Sequence, residues 1–393
     1  MSQSKWYCKL PWTGFSNDPD GKARPCCIYK GYIKDDDGKI MYVQTHSVKE
    51  IFASKYMKDL RQTFRDGNRP PECATCSINE ANGVTSKREI YNGAMDYDSE
   101  PEFPIEYQMI LSNACNLKCR SCSPSHSSLW QAENKVIWGH TGYSMPHGQS
   151  GENDSVLWSK RSEWMAKLER LEIVGGEPFY IKRWRILWEE LISQGLSKRI
   201  QMDMSSNATL YEGEVIENLI ANFKGIGLGL SVDGLGKVYD YLRHPGVWAE
   251  VKDNMLKYHE IKKRSSESFI VSVSHTIGWV NAWELPEFHT FIKTETPQFL
   301  IWNNIIHNPS HMAIWCIPAS LKKRIEDKWR AYDWGIHKND IEGIITFMNS
   351  HQPSDEDLSK YYATFKKHDE VRNENLLDIL PKDIVSEIAP FYG

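Results

Sequence analysis

Between residues 104 and 304 the chain alternates six short, largely apolar runs with stretches of helical periodicity, and that rhythm constrains the fold most. The runs are PIEYQMILS, RLEIVGGEP, IQMDMSS, GIGLGLSVDG, SFIVSVSHTI and PQFLIWNN. Between and after them, YIKRWRILWEELISQ, YEGEVIENLIANF, WAEVKDNMLKYHEIKK and AWELPEFHTFIK carry apolar residues at helical spacing. Buried strands alternating with helices form a parallel sheet covered by helices. The expected fold class is α/β: a partial (βα)6 TIM-type barrel over 101–310, a small cysteine-rich domain over 1–100, and a helical C-terminal extension over 311–393. A doubly wound open sheet is the alternative. In either architecture chemistry gathers where strands end, and the unusual letters fall there: cysteines after the first run, then GGEP, SSNAT and SVDG.

Composition narrows the function classes. A net charge of −5 in 393 residues gives no global pull towards nucleic acid or anionic membrane. The fifteen tryptophans are scattered among helical stretches, a core pattern, and no compact basic-aromatic module is present. Nucleic acid is therefore not an expected partner. The sequence shows no signal-peptide h-region and no long apolar run, so a cytoplasmic, membrane-free protein is expected. In that compartment nine cysteines imply metal sooner than disulfides. Cys316, alone in AIWCIPAS, reads as a small buried hydrophobe. Residues 134–157, rich in glycine, histidine and polar residues, interrupt the rhythm as a lid or a surface insertion.

The loop LSNACNLKCRSCSPSHSS holds Cys115, Cys119 and Cys122 at C-x3-C-x2-C spacing. Three thiolates suit a [4Fe–4S] cubane whose fourth iron is left for an outside ligand. Zinc would need a fourth ligand, for which His126 is near enough, but lacks the paired C-x2-C units usual for structural zinc. One strand later, Gly175, Gly176 and Glu177 combine a side-chain-free backbone approach with a carboxylate able to receive an ammonium group. A tight strand-to-helix turn is the simpler reading of GGE alone.

Together these motifs resemble the radical S-adenosylmethionine (SAM) superfamily over roughly 104–305. The resemblance implies that Cys115, Cys119 and Cys122 ligate the cluster and that SAM chelates its open iron. It implies that Gly175, Gly176 and Glu177 bind the methionine amino group. Asn207 in SSNAT is similar to the family's polar position near the ribose. Ser231 and Asp233 in SVDG, with Arg243 in YLRHPG, resemble the set that holds the ribose and carboxylate of SAM; an ordinary ion pair is the other reading of Arg243. His275 to Asn281 resembles the segment whose backbone meets adenine. Where many members carry an aromatic before the last cysteine, this chain has Ser121. The implied chemistry is reductive cleavage of SAM to a 5′-deoxyadenosyl radical, which takes a hydrogen atom from a substrate.

The first hundred residues hold five further cysteines. Cys8, Gly21 and Cys26 stand at C-x12-G-x4-C spacing, and Cys73 and Cys76 follow in PPECATC. This pattern resembles the auxiliary-cluster motif of SPASM and twitch domains, here placed ahead of the barrel instead of after it. The resemblance implies that Cys8, Cys26, Cys73 and Cys76 hold an auxiliary [4Fe–4S] cluster, with Gly21 turning a hairpin in DPDG. Cys26 is preferred over Cys27 for its spacing, and a four-cysteine zinc site is the alternative. A fully ligated cluster would relay electrons or scaffold the substrate pocket. The stretch from Ser47 to Pro70 reads as one capped helix.

Three functions follow: a radical SAM oxidoreductase with an auxiliary cluster, acting on a peptide or small metabolite; a redox-neutral epimerase or isomerase with a structural cluster; or a non-catalytic iron–sulfur electron carrier. A carrier has no need of GGEP and SVDG. The expected partners are an electron donor such as flavodoxin or ferredoxin and the substrate. His126, His147, Tyr180 and His275 are further pocket candidates, with a structural role the favoured reading of each.

Overall fold

The computed structural model describes residues 6–81, 85–93, 98–143 and 155–393. All six expected strands are present, and two more precede them. In chain order they are β1 (Gly14–Asn17), β2 (Ala23–Arg24), β3 (Glu106–Met109), β4 (Arg170–Ile173), β5 (Gln201–Ser206), β6 (Gly225–Ser231), β7 (Phe269–Ile277) and β8 (Leu300–Ile305). They run β2-β1-β3-β4-β5-β6-β7-β8 across one sheet. The parallel α/β class and the N-terminal cysteine-rich segment are thus as expected. The added strands come from that segment itself.

The described residues gather into two compact units that interleave along the chain. The first comprises 1–114, 144–205 and 218–227. In it β1 pairs parallel to β3, with Ser16 opposite Gln108, and antiparallel to β2. β3, β4 and β5 continue in parallel register, Tyr107 opposite Leu171 and Leu171 opposite Met202. Alternate residues Tyr107, Met109, Leu171, Ile173, Met202 and Met204 are buried, the period-2 pattern of a pleated strand. Phe15 meets Tyr107 edge-on at 4.8 Å, and Tyr107 meets Trp164 at 5.8 Å. Each such pair adds roughly 0.5–1.5 kcal/mol beyond area burial.

The single helix expected after Ser47 is two helices, Val48–Phe52 and Lys55–Arg65. Ser47 caps the first through a capping box with Glu50. Ser54 accepts from the amide of Met57 and so starts a second helix. An interior serine that captures a backbone N–H competes with helix continuation. The fully buried Arg61 on the second helix donates to the carbonyls of Pro11 (2.9 Å) and Phe52 (3.0 Å), tying these turns to the chain start.

The second unit comprises 115–143, 206–217 and 228–393. β7 and β8 pair in parallel, from Ser272 opposite Leu300 to Ile277 opposite Ile305. The C-terminal extension is helical, with Ala319–Arg330, Lys338–Asn349, Asp355–Arg372 and Lys382–Tyr392 as its longer helices. They share one apolar core with the strand-end residue Trp279, which packs on Tyr362 and Phe365. Cys316 sits in this core, its thiol donating to the Ser310 carbonyl at 2.8 Å. Within the 134–157 insertion, residues 144–154, including His147, lie outside the described residues. Among the described residues no helix is long and apolar enough to cross a membrane.

Candidate active site and metal centres

In the first unit, the hairpin joining β1 and β2 turns at Gly21, whose φ of +82° favours glycine. Its amide donates to the Asp18 carbonyl at 2.8 Å. The turn brings Cys26 back to Cys8; the 3-10 turn Pro71–Cys73 brings Cys73, and the short helix Ala74–Ala81 that follows brings Cys76. All four cysteines line one cavity with Trp6, Leu10 and Phe64. Burial, with repulsion from Cys26, Cys73 and Cys76, pushes the Cys8 thiol far up. Burial and neighbouring thiols likewise push Cys26 up to about 11 and Cys73 up to about 12. Thiols that destabilise one another's charge are what a cationic centre would relieve. Cys27 sits elsewhere: its sulfur accepts from Lys87 Nζ at 3.1 Å.

Four cysteines around one cavity are the donor count that a fully ligated [4Fe–4S] cluster takes, and a four-cysteine zinc site would take the same four.

The first unit also contains the GGE turn. Gly175 and Gly176 have φ of +81° and +59°. A Cβ on Gly176 would stand 2.5 Å from the Ala114 carbonyl oxygen and 2.9 Å from that of Ser112. Glu177 N donates to the same Ala114 oxygen at 2.9 Å. Glu177 is fully buried, and its Oε1 accepts from Phe179 N at 3.2 Å. Tyr180, beyond the turn, is 56% exposed.

In the second unit, the three-cysteine loop is held by its backbone. Lys118 N donates to the His244 carbonyl at 2.8 Å, and Arg120 N to that of Leu242 at 2.7 Å. Trp130 Nε1 donates to the Cys119 carbonyl at 2.9 Å. Asn207 Nδ2 lies 3.7 Å from Cys115 Sγ and donates to Asn116 Oδ1 at 2.8 Å. Arg243 Nη1 lies 3.9 Å from Cys119 Sγ, and its Nη2 pairs with Asp233 Oδ2 at 2.7 Å. The other Asp233 oxygen accepts from Thr276 N at 2.8 Å. A hydrogen bond from Cys122, opposed by burial and aided by Arg243, holds the Cys119 thiol below its ordinary range. The same bond, with burial, pushes Cys122 well up. One thiolate is therefore already favoured beside a guanidinium, as metal ligation requires.

Asp233 and Arg243 thus stand with the cysteine loop, and both expected readings of Arg243 coexist, since it is an ion pair and a neighbour of Cys119. Ser231 is the last residue of β6. His126 is held by Ser123 and Ser125 at the loop surface, 3.0 and 3.1 Å from their hydroxyls. His275 is fully buried, with Nδ1 2.9 Å from the Val232 carbonyl, and burial lowers it to about 4. Sequence reasoning missed Asn281 as a side-chain partner. It donates to the carbonyls of Asp233 (2.9 Å) and Thr276 (3.0 Å) and accepts from Gly278 N, bracing the strand end. Only its place at the end of HTIGWVN hinted at this.

Residues 8–77 match SPASM, an iron–sulfur cluster-binding domain. The sporulation killing factor maturation protein SkfB of Bacillus subtilis (strain 168) is 27% identical over 184 residues, covering 47% of this chain and 38% of SkfB. This chain therefore spans well under half the length of that relative. Among solved structures, native anSMEcpe with bound AdoMet has a TM-score of 0.40 at 17% identity, covering 63% of this chain and 62% of that one. Streptococcus suis SuiB bound to precursor peptide SuiA has a TM-score of 0.33 at 13% identity, covering 70% and 50%. A three-cysteine loop after β3, with a SPASM iron–sulfur segment matched over residues 8–77 ahead of it, gives this chain the combination of motifs that the radical SAM resemblance implies.

Proposed function

We propose that the protein is a radical SAM enzyme that takes a hydrogen atom from a peptide substrate, with the SPASM segment's cluster passing electrons. One observation carries the reading: Asn207, Asp233 and Arg243 surround the Cys115–Cys122 loop, with Arg243 at 3.9 Å from Cys119. A plain electron carrier needs no such polar set. The word maturation in the name of the SkfB relative supports a peptide over a small metabolite.

When bound, a [4Fe–4S] cluster with SAM on its open iron supplies the electron that cleaves the sulfonium. Cys115, Cys119 and Cys122 would hold that cluster, and Cys8, Cys26, Cys73 and Cys76 the auxiliary one. Arg243, kept charged by Asp233, would meet the SAM carboxylate through an N–H and stabilise the Cys119 thiolate. The GGE turn would receive the methionine ammonium on strand-end carbonyls and the Glu177 carboxylate. Asn207 would orient the ribose while keeping its amide on Asn116. The buried, neutral His275 is fixed by the Val232 carbonyl and would support the adenine segment without moving a proton.

The test is anaerobic reconstitution followed by SAM and dithionite. Formation of 5′-deoxyadenosine by the intact protein and its loss in Cys119→Ala are expected. Persistent cleavage in Cys119→Ala would refute the ligand assignment. Deuterium transfer from a labelled peptide into 5′-deoxyadenosine would establish the substrate class; transfer only from small metabolites would reject it.

A further inference from the structure

The two residues flanking Cys119 are both tied to the C-terminal helix Asp355–Arg372. Lys118 Nζ pairs with Glu133 Oε2 at 2.6 Å. Glu133 is buried on the helix Leu129–Trp138, and it also receives Arg372 Nε at 2.9 and 3.1 Å and faces His368 Nδ1 at 3.0 Å. Arg372 Nη2 closes the circle by donating to the Lys118 carbonyl at 2.9 Å. On the other side, the buried Arg120 pairs with Asp369 and Glu374, and its Nε donates to the Tyr241 carbonyl at 3.1 Å. Asp369 further accepts from Tyr241 OH, Tyr392 OH and Leu376 N. Trp130, which bonds the Cys119 carbonyl, lies edge-on to His368 at 5.1 Å and under the Arg372 guanidinium at 5.0 Å.

A buried ion pair is a poor device for net stability but a strict one for position, because a lost partner leaves a charge in low dielectric. Here two such networks grip one three-residue stretch from opposite sides. They also set the charge around Cys119. Lys118, Arg120, Arg372 and Arg243 are cationic, and Glu133, Asp369, Glu374 and Asp233 answer them. Net charge near an iron–sulfur cluster tunes its potential, and groups that orient metal ligands are worth roughly 10–100-fold in metal affinity.

Resting on the proposed reading of the loop, we infer that Glu133 and Asp369 are positioning residues for the SAM cluster, through which the C-terminal helices fix the Cys119 segment and balance its charge. The SPASM segment lies ahead of the barrel, and the helical extension behind it performs this task.

The test uses the full chain carrying Cys73→Ala and Cys76→Ala, so that only the three-cysteine loop reports. Reconstituted parent should hold about four irons with a reducible cubane signal. Glu133→Gln and Asp369→Asn should lower iron affinity at least tenfold, and loaded protein should show a less negative midpoint potential. Lys118→Met removes a cation and should move the potential the opposite way. Opposite signs are the signature, because a merely destabilised loop would shift both variants alike. Glu387→Gln breaks an ion pair with Arg324 among the C-terminal helices, outside both networks that hold Lys118 and Arg120, and should leave the potential unchanged. Unchanged potentials and iron affinity in all variants, or shifts of the same sign in Glu133→Gln and Lys118→Met, would overturn the inference. Failure of the parent itself to take up iron would instead overturn the reading of the loop.

Discussion

Gly176→Ala isolates the GGE turn as a binding element. An L-residue at φ of +59° costs about 1–2 kcal/mol. The new methyl would also stand 2.5 Å from the Ala114 oxygen and 2.9 Å from the Ser112 oxygen. Neither backbone atom is free to swing away like a side chain, and overpacking of this kind adds about 1–3 kcal/mol. The total is about 2–5 kcal/mol, placed where Glu177 N bonds the same Ala114 oxygen. If all of it fell on SAM binding, the affinity would drop roughly 30- to 4000-fold. Gly38→Ala is the control: its φ is +78° but nothing lies within 4 Å of its Cβ position, so it incurs the backbone cost alone. Calorimetric titration of reconstituted protein with SAM, beside thermal melts of both variants, separates the two terms. A Gly176→Ala protein that binds SAM within threefold of wild type and melts with Gly38→Ala would refute the argument.

Cys26→Ala should halve the reconstituted iron from about eight to about four per chain, while Cys27→Ala keeps about eight; the reverse would exchange the two cysteines' roles. Stability should fall as pH drops below 6.5. Burial holds His275 and His311 near 4 and His289 near 3. Each of these depressed folded-state values gives stability that is complete above the unfolded value of about 6.5 and lost as pH falls, about 2 kcal/mol each by pH 5. Glu284, pushed by burial up to about 7, opposes them over the same range by about 2 kcal/mol. A net loss on the order of 4 kcal/mol should lower the urea midpoint at pH 5 relative to pH 7, and equal midpoints would count against these burial assignments.

The barrel strands were legible because each one is an apolar run with a marked end, and local pattern suffices for that. β1 and β2 were not. GFSN and AR are too short and too polar to read as strands, and their pairing depends on β3, some ninety residues away. The break in the first long helix turned on one hydroxyl, Ser54, that periodicity does not weigh. Cys8, Cys26, Cys73 and Cys76 were legible through their resemblance to the SPASM motif; the hairpin joins only Cys8 and Cys26 over short range, and their shared cavity with Cys73 and Cys76 depends on packing. By contrast, Glu133, Asp369 and Arg372 carry no motif. They sit in charged helices and acquire meaning only when residues some 240 positions apart meet.

The place of β1 beside β3 bears on how the chain is made. The cysteine-rich hairpin is synthesised before the strand it must dock on, which follows only after about ninety more residues. Cutting the segment away would not yield a simpler enzyme; it would bare the flank of β3 to any passing strand.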